Sequence, residues 1–269
     1  MKHLLFGIKN SRRQQRGLSL IELMIAMTIG SFLILGITQI FISNQTSYLF
    51  QQSQLGNQEN GRFTLAVLEQ ELSKAGYRSL PRFPFAASSG VVTGCNFAQS
   101  TSVSAVSATS LCIQYQASNA LDTACQGTAL PSSAATQIIK PYNQVNPVLV
   151  ESIALDTNTN SITCTTGGTT QQLVTGVRDV RFDYGAGDSG GGASKTVTSF
   201  STAPGALAIG AVRYTALLQS SGGSTLIRDT ATISPALANW NTRYGTNYVD
   251  NTRIYQIVQG TVMIRNQMP

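Results

Sequence analysis

The chain has 269 residues and a mass of 28.6 kDa, enough to bury a sizeable core in one or two globular units. Charged residues make up only 11%, against about a quarter in an ordinary globular protein, and hydrophobic residues 42%, which excludes a highly charged disordered chain. The net charge of +6 sits at one end: Lys2, Lys9, Arg12, Arg13 and Arg16 leave 13 basic against 12 acidic residues beyond Gly17. There is no basic domain to hold a phosphate backbone, so nucleic acid is excluded as a partner. His3, the single histidine, lies in the same basic tip. Without that tip, no imidazole remains for a hydrolytic triad or a His-ligated metal.

Leu18 to Ile42 is an apolar stretch of 25 residues interrupted by one charge, Glu22. As a helix rising about 1.5 Å per residue it spans a hydrocarbon core of about 30 Å. The basic residues before it predict that residues 1–17 stay cytoplasmic while the rest lies outside. A secretory signal fits poorly, because its apolar region is about 7–15 residues and ends at a small-residue cleavage site. An acid inside a membrane helix costs on the order of 3 kcal/mol, so Glu22 needs a partner or a task. It lies one helical turn after Leu18. Cleavage between Gly17 and Leu18 would place a new α-amine on the same side of the helix, or in reach of Glu22 in a neighbouring subunit. The plainer alternative is an ordinary anchor with Glu22 near the interface.

Arg16-Gly17-Leu18-Ser19-Leu20-Ile21-Glu22-Leu23 resembles the class III signal of type IV prepilins, with its basic leader, Gly, apolar first mature residue and Glu at mature position five. The resemblance implies cleavage after Gly17 by a membrane peptidase, N-methylation of Leu18, and Glu22 as the assembly carboxylate. Leu18 departs from the family, where Phe is usual at the first mature position.

Beyond the membrane the helix is expected to continue from about Ser43 to Ala75, with Gly76 as its cap and Pro81 and Pro84 beyond. Phe41, Tyr48, Leu55, Phe63, Leu65, Leu68 and Leu72 recur at helical intervals and are read as the face that packs on a globular head. Gly56 and Gly61 predict a bend or melted turn. From about residue 85 the pattern changes to short alternating runs. Strands are expected at 110–116, 147–155, 171–184, 208–219, 224–233 and 252–265, with a hairpin loop at Ser220–Gly223.

Three further segments are similar to minor pilins of the PilW type. Glu71-Leu72-Ser73-Lys74-Ala75-Gly76-Tyr77-Arg78 looks like their helix-to-head junction. Val177-Arg178-Asp179-Val180-Arg181-Phe182-Asp183-Tyr184-Gly185 looks like a strand ending in Tyr-Gly, and Thr261-Val262-Met263-Ile264-Arg265-Asn266 like the closing strand. Residues 85–176 offer no such match.

Cys95, Cys112, Cys125 and Cys164 all fall in the expected outside domain, where an even count favours two disulfides over a metal or redox site. Three pairings are open; Cys95–Cys112 with Cys125–Cys164 is the preferred one. Gly185-Ala186-Gly187-Asp188-Ser189-Gly190 fits a dinucleotide fingerprint, and Gly187-Asp188-Ser189-Gly190-Gly191 a hydrolase nucleophile string. The first needs a helix start that the following residues do not suggest. The second needs a base, and only Lys195 stands near Ser189. A surface loop is the simpler reading. Asp183 and Asp188 offer too few carboxylates for Ca²⁺. Trp240, Tyr244, Tyr248 and Tyr255 read as core packing under a loop in preference to a partner surface.

The sequence therefore predicts an α+β, pilin-like fold: a long N-terminal helix packed against an antiparallel sheet head with disulfide-stapled loops. Residues 1–17 form the leader, 18–42 the transmembrane half, 43–76 the amphipathic half and 77–269 the head. The resemblance implies a structural subunit that is not an enzyme, takes no cofactor or metal, and helps initiate type IV pilus assembly near the tip. It implies as partners the major pilin, other minor pilins, the prepilin peptidase, the inner-membrane assembly platform and a tip adhesin. The chain would sit in the inner membrane before assembly and on the pilus afterwards. Two alternatives stand beside this: a minor pseudopilin of a type II secretion system, and a membrane-anchored periplasmic enzyme or ligand-binding module.

Overall fold

Helix α1 covers Leu20–Ser73 in the computed structural model, which describes residues 17, 19–127, 129–130, 138, 146–187, 196–205, 207–220 and 233–267. The chain divides into two compact units, residues 1–49 and 50–269. In the first, α1 is apolar and bare: an 18-residue window of the helix has a mean hydropathy of 2.2 and none of it is buried. Hydroxyls there turn back onto the helix, as where Thr38 Oγ1 donates to the Ile34 carbonyl at 2.7 Å.

The second unit contains the core. Its strands are β1 (Ser88–Ser89), β2 (Asn96–Phe97), β3 (Val103–Ser107), β4 (Ser110–Gln116), β5 (Val148–Asp156), β6 (Ser161–Thr166), β7 (Thr169–Thr175), β8 (Val177–Ala186), β9 (Ser199–Ser201), β10 (Ile209–Gln219) and β11 (Tyr255–Met263). They form a five-stranded sheet β3-β4-β5-β6-β7, a four-stranded sheet β11-β10-β8-β9 and the small pair β1-β2. Every pairing among the described strands is antiparallel. A short helix α2 (Pro235–Tyr244) precedes β11.

Side chains alternate across a strand, so β8 and β10 each present two faces. Val180, Phe182 and Tyr184 of β8 join Val212, Tyr214, Ala216 and Leu218 of β10 in the main core. Leu68 and Leu72 of α1 and Leu111, Ile113, Ile153 and Ile162 of the larger sheet complete it. The opposite face carries Leu217, which packs with Leu237 and Trp240 of α2 and with Tyr255. The four-stranded sheet thus has α1 on one face and α2 on the other.

The contact face of α1 follows the apolar stripe expected from the sequence only at its C-terminal end, where Leu68 and Leu72 are buried and Leu65 packs against the core. Its buried residues are Asn57, Gly61, Thr64, Leu68, Glu71 and Leu72, whereas Phe41, Tyr48, Leu55 and Phe63 are exposed. Close approach of a helix to a sheet selects small residues at the contact. A Cβ on Gly61 would meet Val258 Cγ1 at 3.0 Å and Leu218 Cδ1 at 3.2 Å. Gly61 is thus a contact point rather than a break, and α1 stays helical through Gly56 as well. Two polar ties fix the docking: Tyr214 Oη donates to the Leu65 carbonyl at 3.2 Å, and Asn57 Nδ2 to the Ile254 carbonyl at 3.1 Å.

Candidate functional site

Two regions collect the residues singled out by the sequence. At the start of α1, Ser19 N–H donates to Glu22 Oε2 at 3.0 Å, and Leu23 N–H to the Ser19 carbonyl at 3.2 Å. Glu22 therefore caps its own helix, with its negative charge at the positive end of the helix dipole. Gly17 is exposed and outside the helix. Leu18 and residues 1–16 lie outside the described residues. From Leu23 to Gln58 the chain has no charged side chain, so Glu22 is the one ionic group in the apolar half of α1.

At the other end of α1 the junction is held by backbone and amide bonds. The helix ends at Ser73, three residues before Gly76, which has φ +78°. The left-handed conformation suits glycine here. Gly76 N–H donates to the Gln114 carbonyl at 2.9 Å, and Asn266 Nδ2 to the Ala75 carbonyl at 3.1 Å. The junction and closing segments noted in the sequence thus meet in space.

The four cysteines form two disulfides, Cys95–Cys112 and Cys125–Cys164. Cys125, Cys164 and Glu151 bring their sulfur and carboxylate atoms within 4.8 Å of one another. The two sulfurs are bonded to each other, so no thiolate remains there to ligate an ion. Glu151 is fully buried. Its Oε1 accepts from Tyr115 Oη at 2.6 Å and from Cys125 N–H at 2.8 Å, while Oε2 has no partner among the described residues. Burial pushes this carboxyl above the usual range, against the opposing pull of the Tyr115 hydroxyl and Lys74. Nothing in the sequence marks Glu151 except its place as an acid in the middle of an apolar strand, five residues before Asp156 at the strand's end.

A carboxyl whose folded pKa is raised is stabilising when protonated, and that contribution is lost as pH rises through the folded value. Glu151→Gln keeps an Oε1 acceptor for both donors and removes the charge. It is expected to flatten the stability profile on the alkaline side and to raise Tm at pH 8 by about 2–4 °C, the shift that about 1 kcal/mol gives in a unit of this size. Thermal melts of both chains between pH 4 and 8 check this; parallel profiles would show that Glu151 is not the titrating group.

The remaining candidates among the described residues are structural. Asp183 accepts from Arg213 Nε at 3.0 Å and Nη2 at 2.8 Å, and Phe200 lies under that guanidinium. The carboxylate set aside above as a Ca²⁺ ligand is therefore held in an ion pair, with both guanidinium N–H groups on one oxygen. Gly185 belongs to β8, packed between Val197 and Ala211. Asp188, Ser189 and Lys195 lie outside the described residues. Trp240 is fully buried, and its Nε1–H donates to Asp179 Oδ2 at 3.0 Å. Tyr248, beside Arg178, has its phenol pKa raised by burial and then by Asp179.

Residues 12–38 match the family model for the prokaryotic N-terminal methylation motif, and residues 142–266 that for the type IV pilus-assembly protein W. Together the two matches cover more than half of the chain. No curated protein matches it. Among solved structures it is similar to a type IV-like pilin from Thermus thermophilus, at 14% identity and a TM-score of 0.40, covering 78% of this chain and 96% of that one. The methylation motif at the head of an apolar helix, followed by an antiparallel head, defines a type IV pilin-like protein, a structural and non-enzymatic class. Within that class the chain is a minor pilin of the PilW type. The motif and the apolar helix fit membrane anchoring followed by incorporation into a pilus, in association with other pilins.

Proposed function

We propose that this minor pilin helps to initiate type IV pilus assembly and is incorporated near the pilus tip, supporting motility and adhesion. In this reading the prepilin peptidase cuts after Gly17 and Leu18 becomes the N-methylated first residue. The helix is anchored in the inner membrane with residues 1–17 cytoplasmic and the head periplasmic. It then leaves lipid for a bundle of pilin helices, exchanging one apolar surrounding for another. The assembly platform, the major pilin, other minor pilins and a tip adhesin are its partners.

The observation that carries the reading is the placement of Glu22. Its carboxylate lies in the first turn of a helix that is otherwise free of charge up to Gln58. Removal of the leader creates an ammonium one turn away, and a neighbouring subunit offers the same group. A carboxylate and an ammonium in a poorly hydrated bundle attract strongly enough to set the axial register of subunits.

Intact mass and N-terminal peptide sequencing of the chain from cells with active prepilin peptidase test this. The expected mature chain begins at N-methylated Leu18. A chain that keeps residues 1–17 overturns the reading and leaves a single-span anchor.

A further inference from the structure

The two disulfides lie in different surroundings. Cys95–Cys112 is sealed in an apolar cluster with Val92, Phe97 and Val150, and both of its residues are buried. Cys125–Cys164 ties the connection between β4 and β5 to β6, with Cys164 fully buried and Cys125 partly exposed. Among the described residues, it is also the one disulfide with a carboxyl oxygen, that of Glu151, within 4.8 Å of both sulfurs.

Glu151 is held there by bonds that leave one oxygen open. Oε1 accepts from Tyr115 Oη and Cys125 N–H, and Oε2 has no partner among the described residues. A proton on this carboxyl therefore sits on Oε2. Burial favours that proton, as does the charge of Glu71 on α1. The Tyr115 hydroxyl of β4, Lys74 of α1 and the Cys125 N–H act against it, but Lys74 already pairs with Glu71 at 2.6 Å. Thiol exchange at this disulfide needs such a proton. Cys125 is the end that an incoming thiolate reaches, so the sulfur of Cys164 is the leaving group. A thiolate buried in apolar surroundings is costly, and a leaving group of high pKa departs slowly unless it is protonated as it goes.

We propose that Glu151 is the acid–base partner of the Cys125–Cys164 disulfide, making this bond, in preference to Cys95–Cys112, the site at which the head exchanges with dithiols. In reduction, one thiolate of the dithiol attacks Cys125 Sγ and the S–S bond breaks. The electron pair stays on Cys164 Sγ, which takes the proton of Glu151 Oε2 and becomes a thiol. The second thiolate of the dithiol then attacks its own partner sulfur in the mixed disulfide. Cys125 leaves as a thiolate and takes a proton from water, and Glu151 regains its proton from solvent. The dithiol departs as a disulfide, oxidised by two electrons, and the cystine is reduced by two. In the reverse direction the Glu151 carboxylate takes the Cys164 proton as the bond forms. Reduction frees the β4–β5 connection from β6 while Cys95–Cys112 keeps its hold. The inference concerns the head by itself and stands whether or not the chain enters a filament.

The test reduces the full-length chain in detergent with dithiothreitol at a series of pH values, traps the thiols with a maleimide and assigns them by peptide mass mapping. Rates are divided by the concentration of reagent thiolate, so that the titration left over belongs to the protein. Cys125–Cys164 is expected to open at least about tenfold faster than Cys95–Cys112, at a normalised rate that falls as pH rises through the Glu151 pKa. Glu151→Gln keeps an acceptor for both donors but has no acidic proton. It is expected to slow the opening at least about tenfold and to flatten the pH profile. Tyr115→Phe keeps the carboxyl and removes a hydrogen bond that favours its charged form, so the fall moves to higher pH. That variant decides the matter if Glu151→Gln fails to fold. Equal normalised rates for the wild type and Glu151→Gln overturn the proposal. A Tyr115→Phe profile that superimposes on that of the wild type, or earlier opening of Cys95–Cys112, does the same.

Discussion

Glu22→Ala is expected to lower incorporation of the chain into pili by about a hundredfold while leaving leader removal and the fold of the head intact. Two roles meet in this carboxylate. It caps the first turn by accepting Ser19 N–H, a contribution of about 1 kcal/mol, and it is the partner proposed for a neighbour's α-amine. Unit charges about 4 Å apart interact by about 4 kcal/mol at an effective dielectric of about 20, so the pairing outweighs the cap even after its desolvation cost is deducted. A loss of about 3 kcal/mol corresponds to roughly a hundredfold in an equilibrium. Glu22→Gln separates the roles, because the amide oxygen still accepts Ser19 N–H but carries no charge. Quantitative immunoblotting of sheared pili and membrane fractions gives the ratio of assembled to unassembled chain. If Glu22→Gln assembles like the wild type, capping is the whole role of Glu22 and the charge-pairing account fails.

The apolar half of α1 is legible because spanning a hydrocarbon core imposes simple rules of length and composition. Length and apolarity suffice to read residues 20–42 as helix. β4 is also readable to the residue, since Ser110–Gln116 combines β-branched and aromatic residues with clear turn signals at its ends. The expected strand at 171–184 is two strands, β7 and β8, divided at Gly176. That residue has φ +76° and its carbonyl accepts Gln219 N–H at 2.9 Å. The decisive partner is more than forty residues away, and no local pattern reports it. Helix α2 escapes the sequence reading because its Asn-rich segment is short and weakly apolar. A signal exists: Pro235 opens it and Gly245, at φ +63°, closes it, the usual asymmetry of helix ends. The expected hairpin at Ser220–Gly223 and strand at 224–233 fall almost wholly outside the described residues. Glu151 and the Asn57, Gly61 and Thr64 part of the α1 contact face depend on which surfaces come together, and are hidden for that reason.

Trp240→Ala is expected to destabilise the head by about 3–5 kcal/mol, the range for removing a large buried aromatic side chain. The mechanism is specific to one face of the four-stranded sheet. Alternation along β8 puts Asp179 and Arg181 on the face turned away from the main core, where Asp179 is fully buried. Its carboxylate accepts from Arg181 Nε at 3.1 Å and Nη2 at 2.8 Å, from Val180 N–H at 2.8 Å and from Trp240 Nε1–H. The Trp240 ring lies 4.5 Å from that of Tyr244 and packs with Leu217, Leu237 and Tyr255. Removing the indole therefore opens a cavity under α2 and exposes a buried ion pair from above. In a unit of this size the Tm falls by on the order of 10 °C. Trp240→Phe retains most of the packing and forfeits only the N–H bond to Asp179, so about 1–3 kcal/mol is expected. Combining Trp240→Phe with Asp179→Asn isolates the coupling of the pair, because both residues belong to one hydrogen-bonded network. Thermal unfolding followed by circular dichroism provides the comparison. A Trp240→Ala chain that melts within about 2 °C of the wild type, the range of a neutral surface change, would mean that α2 is not latched to β8, and that the aromatic cluster is a surface after all.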